Sequence, residues 1–149
     1  MPTLATNKRA LHDYHILEEF EAGIVLTGSE VKSVKGGRCN LKGSYVTGRD
    51  GEIWLINAHV SPYAMSSSQR GYEPTRSRKL LLHEREIASL TGKLSSKGLT
   101  VLPLSIYTKK SLIKVKIAVC RGKKLHDKRE LMKKRDADRQ VRQLLRNKA

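Results

Sequence analysis

The side chains here best able to do chemistry are cations. The 149 residues carry 30 Lys and Arg against 14 Asp and Glu, a formal net charge of +16. Solubility alone needs a net charge of only ~2–8 on a small domain. The excess therefore points to a polyanion, either nucleic acid or an anionic membrane surface. Lys8 and Lys114 can neutralise phosphates. Asn7 can offer a donor and an acceptor to a base or sugar edge. His12 and Tyr14 can stack on an unpaired base. Cys39 and Cys120 lie far apart with no CxxC, which suggests reduced thiols in a cytosolic protein. The histidines at 12, 15, 59, 83 and 126 have no zinc spacing with them. No apolar run approaches the ~20 residues of a membrane span. The first nine residues lack the apolar stretch of a signal peptide, so a cytoplasmic protein is expected.

Charge is densest after Cys120. Residues 121–149 hold twelve Lys or Arg against four Asp or Glu. Such a segment buries too little apolar surface to offset its ordering entropy, so it is expected to be disordered when free. The expected division is a body over residues 1–120 and a basic tail over 121–149. A polyanion would favour a helix in the tail. Asp127 is a good N-cap and Glu130 stands three residues on, an acidic variant of the capping box. No Gly or Pro interrupts the chain from there to Ala149, and Ala137, Val141 and Leu144 form a narrow apolar stripe. Close like charges oppose that helix in isolation; phosphates would remove the repulsion. In this reading Gly122 is a hinge, and Lys123 and Lys124 anchor to phosphate. His126 stacks on a base, and Asp127, Lys128 and Arg129 set the helix register.

The elements that position the body's side chains are mostly strands. Residues 1–11 read as a loose arm. Tyr14 to Phe20 alternates imperfectly at period two, with a bend or bulge at Ala22-Gly23 before Ile24-Val25-Leu26. Thr27 and Glu30 have the spacing of a capping box, and Gly36-Gly37 stops that helix. Asp50-Gly51 suits the tight turn of a hairpin between Ser44–Thr47 and Glu52–Ile56. Trp54, midway along its second strand, is expected in the core. Residues 61–79 form a long loop ending in the basic Arg76, Arg78 and Lys79. Leu80 to Leu94 is predicted as one helix. Leu99 to Tyr107 and Ile113 to Val119 form a closing hairpin, with Pro103 marking an edge or bulge and Lys114 and Lys116 on an outer face. The fold class expected is mainly β with short helices, a small closed or partly open β-barrel with one core.

Eight pieces, in order, carry a resemblance. They are Asn7-Lys8-Arg9-Ala10, His12-Asp13-Tyr14, Glu19-Phe20-Glu21-Ala22-Gly23, Gly28-Ser29-Glu30-Val31-Lys32-Ser33, Ser44-Tyr45, Arg76-Ser77-Arg78-Lys79-Leu80-Leu81-Leu82, Lys114-Val115-Lys116-Ile117 and Gly122-Lys123-Lys124-Leu125-His126-Asp127-Lys128-Arg129. Together they resemble the SsrA-binding protein family, also called small protein B, the partner of transfer-messenger RNA. Segment 66–73 and the tail beyond Arg129 match poorly. The resemblance implies an oligonucleotide-binding-like β-barrel without catalytic activity or cofactor. It implies a protein, monomeric when free, that carries the tRNA-like part of transfer-messenger RNA to stalled ribosomes for trans-translation. Its tail would become helical at the decoding site and in the empty messenger channel, against small-subunit RNA. It also assigns RNA binding to Glu21, Leu81 and Lys114, with Asn7, Lys8, His12 and Tyr14 beside them. Without it, Tyr14 and Leu81 read better as core, and Glu21 and Lys114 as solvated strand faces, since aromatics at period two are commonly core.

Two other classes share parts of this pattern. A small ribosomal protein or translation factor on the same barrel would have the same charge, since fold does not fix function. A ribonuclease would need two histidines as general acid and base, such as His12 and His15. Both are expected on an arm and an edge strand with no sign of a pocket.

Overall fold

The structure is a computed structural model and describes residues 2–63 and 71–123. Its elements run β1 (Thr3–Thr6), α1 (Lys8–Asp13), β2 (Tyr14–Ile24), α2 (Gly28–Lys35), β3 (Cys39–Asn40), β4 (Tyr45–Arg49), β5 (Glu52–Ile56), β6 (His59–Val60), β7 (Arg78–Leu81), α3 (Glu84–Leu94), β8 (Leu99–Lys109) and β9 (Leu112–Gly122). Antiparallel pairing links β8, β4, β5, β7, β2 and β9 in turn, and β9 pairs back onto β8 to make a ring of strands. β1 adds to the free half of the long β8 edge.

Period-two alternation sends one face of each strand inward. Ala22, Val46, Ile53, Leu55, Leu80, Val101, Ile106, Val115, Ile117 and Val119 meet there with Leu41, Ala58 and Val60. Val34 of α2 and Leu90 of α3 join the same cluster. Two local signals behave as the sequence predicts. The Glu30 amide donates to Thr27 Oγ1 at 3.2 Å and the Thr27 amide to Glu30 Oε1 at 2.9 Å, which closes the capping box. Asp50 and Gly51 both take positive φ, at 53° and 76°, as a tight hairpin turn requires. The break at Pro103 is a bulge, with the register shifting between Pro103 and Ser105.

Several expectations need correction. Residues 3–13 are a strand and a short helix rather than a loose arm, because the β8 edge offers unpaired backbone to Thr3–Thr6. The bulge in β2 falls between Ile16 and Glu18; Gly23 is regularly paired on both sides. Leu80–Leu82 do not open the helix that α3 forms. Arg78 to Leu81 fill the slot between β5 and β2, with Leu80 inward and Leu81 outward, and His83 precedes the helix proper. A second apolar cluster lies outside the ring, where Ala10 of α1 packs on Leu102, Leu104, Ala118 and Cys120. Trp54 is not among the buried core residues. It stands half-buried opposite Thr47 and Lys79, and its buried Nε1 has no hydrogen-bond partner among the described residues.

Strand pairing runs past Cys120, where the expected body ends. Arg121 pairs with His15 and Leu99, Gly122 pairs with Tyr14, and the Lys123 amide donates to the Asp13 carbonyl at 2.9 Å. Gly122 is thus a strand residue here. The expected tail helix from Asp127, and the assignments of Lys124, His126, Asp127, Lys128 and Arg129, lie outside the described residues.

Candidate nucleic-acid interface

The outer face of β7, β2, β9 and β8 carries a continuous cross-strand row. Leu81 pairs with Gly23, Gly23 with Lys114, and Lys114 with Tyr107. Glu21 stands two residues along β2 on the same face, opposite Lys116. Strand alternation fixes this arrangement, because Ala22, Leu80, Ile106 and Val115 between them all point into the core. Leu81 is 52% exposed, high for a leucine held in a sheet. The structure thus brings Glu21, Leu81 and Lys114 together from three separate stretches of sequence.

Glu21 does not face its surroundings as a free carboxylate. Tyr107 donates its hydroxyl to Glu21 Oε2, and Lys109 Nζ donates to Oε1 at 3.2 Å. The Tyr107 bond, then the Lys109 bond, hold the Glu21 carboxyl below the usual glutamate range, with Lys109 and Lys114 charges assisting against a small burial cost. Burial and then the Glu21 charge push the Tyr107 phenol upward, so it stays a neutral donor. Glu21 therefore bridges over β9 and fixes Tyr107 and Lys109 beside Lys114. Tyr107, Lys109 and Gly23 are members of this site that sequence reasoning missed. Their only signal was register, since Tyr107 and Glu21 are 86 residues apart.

The other expected residues divide differently. Asn7 is 7% exposed and caps α1. Its Oδ1 accepts from the Ala10 amide at 3.2 Å, its Nδ2 donates to the Pro103 carbonyl at 2.9 Å, and its amide donates to Leu104. Its amide group is thus engaged in the fold rather than presented to a base. Lys8 follows it, exposed at the start of α1. His12 is largely exposed with Nδ1 2.8 Å from Asp13 Oδ1. Tyr14 packs on the outer cluster, and a Cβ on Gly122 would meet its ring at 3.8 Å. Tyr14 and Gly23 stand at opposite ends of β2, roughly 30 Å apart along it. His12, Tyr14, Gly122 and Lys123 therefore gather at one end, and Glu21, Leu81 and Lys114 at the other.

A cleft of about 280 Å³ opens at the Tyr14 end, lined in part by Arg9, Asp13, Tyr14, Ser44, Tyr45 and Thr100. Neither His12 nor His15 lines it. His15 sits in β2 opposite Arg121, on a different element from His12.

The basic end of the 61–79 segment has its own partners. Glu30 is fully buried and accepts from Arg78 Nε at 2.8 Å and Nη2 at 2.6 Å. It also accepts from Arg76 and from the Tyr72 hydroxyl at 3.1 Å. Arg78, buried as well, donates on to the carbonyls of Ala58 and Pro74. Burial opposes ionisation of Glu30, but Arg76, the Thr27 amide and Arg78 outweigh it and hold its carboxyl at about 2. Lys79 pairs with Glu52 at 3.0 Å. Arg76 and Arg78 lock α2 to β7, and Lys79 ties β7 to β5.

A family model described as SmpB protein matches residues 4–147. The chain belongs to that family. An SsrA-binding protein of Sulfurihydrogenibium sp. is 54% identical over 93% of this chain and 90% of its own length. One from Trichormus variabilis is 52% identical over 97% and 93%. A solved structure described as "tmRNA-SmpB: a journey to the center of the bacterial ribosome" superposes with a TM-score of 0.68 at 46% identity, covering 80% of this chain and 84% of that one. Membership of the SmpB family fits a protein that recognises RNA. Among the described residues no helix is long and apolar enough to cross a membrane, and no group of His, Cys, Asp or Glu could hold a metal ion. Cys39 and Cys120 are both free thiols, pushed up by burial.

Proposed function

We propose that this chain binds the tRNA-like part of transfer-messenger RNA on the Glu21, Leu81 and Lys114 face and brings it to stalled ribosomes. The observation that carries this reading is the convergence of those residues on one outer row, with Tyr107 and Lys109 fixed by Glu21 beside them. Lys114 neutralises a phosphate. Leu81 gives an apolar surface for a sugar or an unstacked base. Glu21 acts through Tyr107 and Lys109, which resolves why a carboxylate serves a phosphate-binding face. SmpB-family membership and the named relatives support the RNA partner. The Tyr14 and Gly122 end leads into the basic tail, which extends along ribosomal RNA and the messenger channel. Asn7 serves by holding α1, while Lys8, His12 and Tyr14 carry the footprint towards that tail. The division of labour is an RNA-holding body and a ribosome-reading tail beginning after Lys123.

The test is a salt titration of binding to the isolated tRNA-like RNA. Lys114→Ala should weaken binding and reduce the slope of log K against log salt by roughly 0.7–0.9, one phosphate contact. Glu21→Gln should weaken binding by loosening Tyr107 and Lys109, with a smaller slope change. Equal affinity and slope in Lys114→Ala and the unaltered protein would remove Lys114 from the interface. A small ribosomal protein, by contrast, would stay with vacant subunits at high salt and would not follow a distinct structured RNA.

A further inference from the structure

We infer that the outward face of α2, with Lys32, Lys35 and Arg38 beside Tyr63, is a second phosphate-binding surface that extends the RNA footprint beyond the Leu81 and Lys114 row. This rests on the RNA reading above and adds a site to it. The sequence from Val31 to Arg49 contains Lys32, Lys35, Arg38, Lys42 and Arg49 and not one Asp or Glu. The only carboxylate of α2 is Glu30, and it is turned wholly inward onto Arg76 and Arg78. Nothing on the helix then compensates its outward charges. Lys32, Lys35 and Arg38 are exposed, and no carboxylate among the described residues lies within ion-pair distance of them. Elsewhere on the body, Lys79, Lys93, Lys109 and Lys116 each have a glutamate partner.

The geometry gathers the charges. Lys32 and Lys35, three apart on a helix, are neighbours on one face, with Cβ atoms about 5–6 Å apart. Arg38 is tied back to the helix, its amide donating to the Ser33 carbonyl at 2.9 Å. The Ser61 amide donates in turn to the Arg38 carbonyl at 3.0 Å, which brings the following segment alongside. Lys32 Nζ lies 5.3 Å from the centroid of the Tyr63 ring. A lysine over an aromatic face beside two more cations suits a nucleotide, with phosphate on the cations and a base or ribose on the ring. An acidic protein would use the charges but has no need of the ring.

Position favours RNA as well. α2 follows β2 after Val25, Leu26 and Thr27, at the end where Gly23 lies between Leu81 and Lys114. One RNA can therefore reach both surfaces. The helix is also rigidly held: capped by Thr27, stopped at Gly36, and pinned from beneath by the buried Glu30–Arg78 pair. A backbone held in this way adds no segment-ordering cost when the cations bind.

The experiment titrates the tRNA-like part of transfer-messenger RNA with the full chain over a range of potassium chloride. The proteins compared are the unaltered chain, the triple substitution Lys32→Gln, Lys35→Gln and Arg38→Gln, the charge-conserving pair Lys32→Arg and Lys35→Arg, and Lys114→Ala. Expected are a salt slope lower by about 1.5–2.5 in the triple variant, two to three phosphate contacts, and a near-normal slope in the arginine pair. A fall in slope in the triple variant with an unchanged thermal midpoint supports the site. An unchanged slope there, with Lys114→Ala still reduced, overturns the α2 surface as an RNA site and leaves it to an acidic protein or to solvent. Unchanged slopes in both the triple variant and Lys114→Ala overturn the α2 surface and the Lys114 face together.

Discussion

The Leu81 side chain crowds the position that a Cβ on Gly23 would take, with Leu81 Cβ 3.3 Å and Cδ1 3.6 Å from it. The backbone of β2 and the side chain of β7 are thus in direct contact, and Leu81 is held against the strand that carries Glu21. Gly23 is there for close approach, not for a special φ. Its strand conformation is one any residue adopts, and no positive φ is recorded at it.

Gly23→Ala should therefore separate folding from binding. The added methyl lowers the entropy of the unfolded chain, worth up to about 1 kcal/mol, against a contact that must yield by a few tenths of an ångström. Stability should change little in a thermal melt, while Leu81 is displaced and RNA affinity falls. Leu81→Ala should weaken binding by itself and should cost less in the Gly23→Ala background, because the two act on one contact. Additive losses would mean that Gly23 and Leu81 serve binding independently.

Glu30→Gln should be among the most destabilising single changes in the body. It leaves Arg78 buried without a counter-ion, which costs about 3–5 kcal/mol. Glu30 titrates at about 2 when folded against 4.5 ordinarily. A depressed carboxyl contributes stability that is complete above the unfolded value and lost as pH falls through the folded one. Urea melts should therefore show the gap between the unaltered protein and Glu30→Gln shrinking from pH 4.5 down to about 2. A gap constant across that window would mean that the Glu30 charge does not stabilise the fold.

Asn7→Ala removes the cap of α1 and the bond to Pro103. Loss of a cap costs about 1 kcal/mol and the freed buried carbonyl about 1–3 more. The thermal midpoint should fall, while binding below the melting range stays near normal, since neither polar atom of the side chain is presented outward. A large affinity loss without loss of stability would return Asn7 to direct RNA contact.

What was legible in the sequence was mostly local. Thr27 and Glu30 announce α2 because a capping box lies within four residues, and Asp50-Gly51 announces its hairpin for the same reason. The alternation of Ile113 to Val119 marks a strand because one face is buried. Leu80, Leu81 and Leu82 misled because three adjacent leucines satisfy both helical and strand periods. The decision came from β5 and β2, which leave a slot only β7 can fill. The burial of Arg78 was equally hidden, since its carboxylate is 48 residues away. Resemblance singled out Glu21, Leu81 and Lys114. Their shared face, and the tie from Glu21 to Tyr107, come only from strand register.

The most direct test places a photo-crosslinking amino acid at Leu81, or at Lys97 as a control, and maps the products on transfer-messenger RNA. Lys97 is an exposed cation between α3 and β8, two residues before Leu99, which pairs with Arg121 at the far end of β9 from Lys114, so non-specific charge attraction would label it too. The account predicts crosslinks from position 81 to the tRNA-like part and none from position 97. Crosslinks from position 97 with none from position 81 would contradict it.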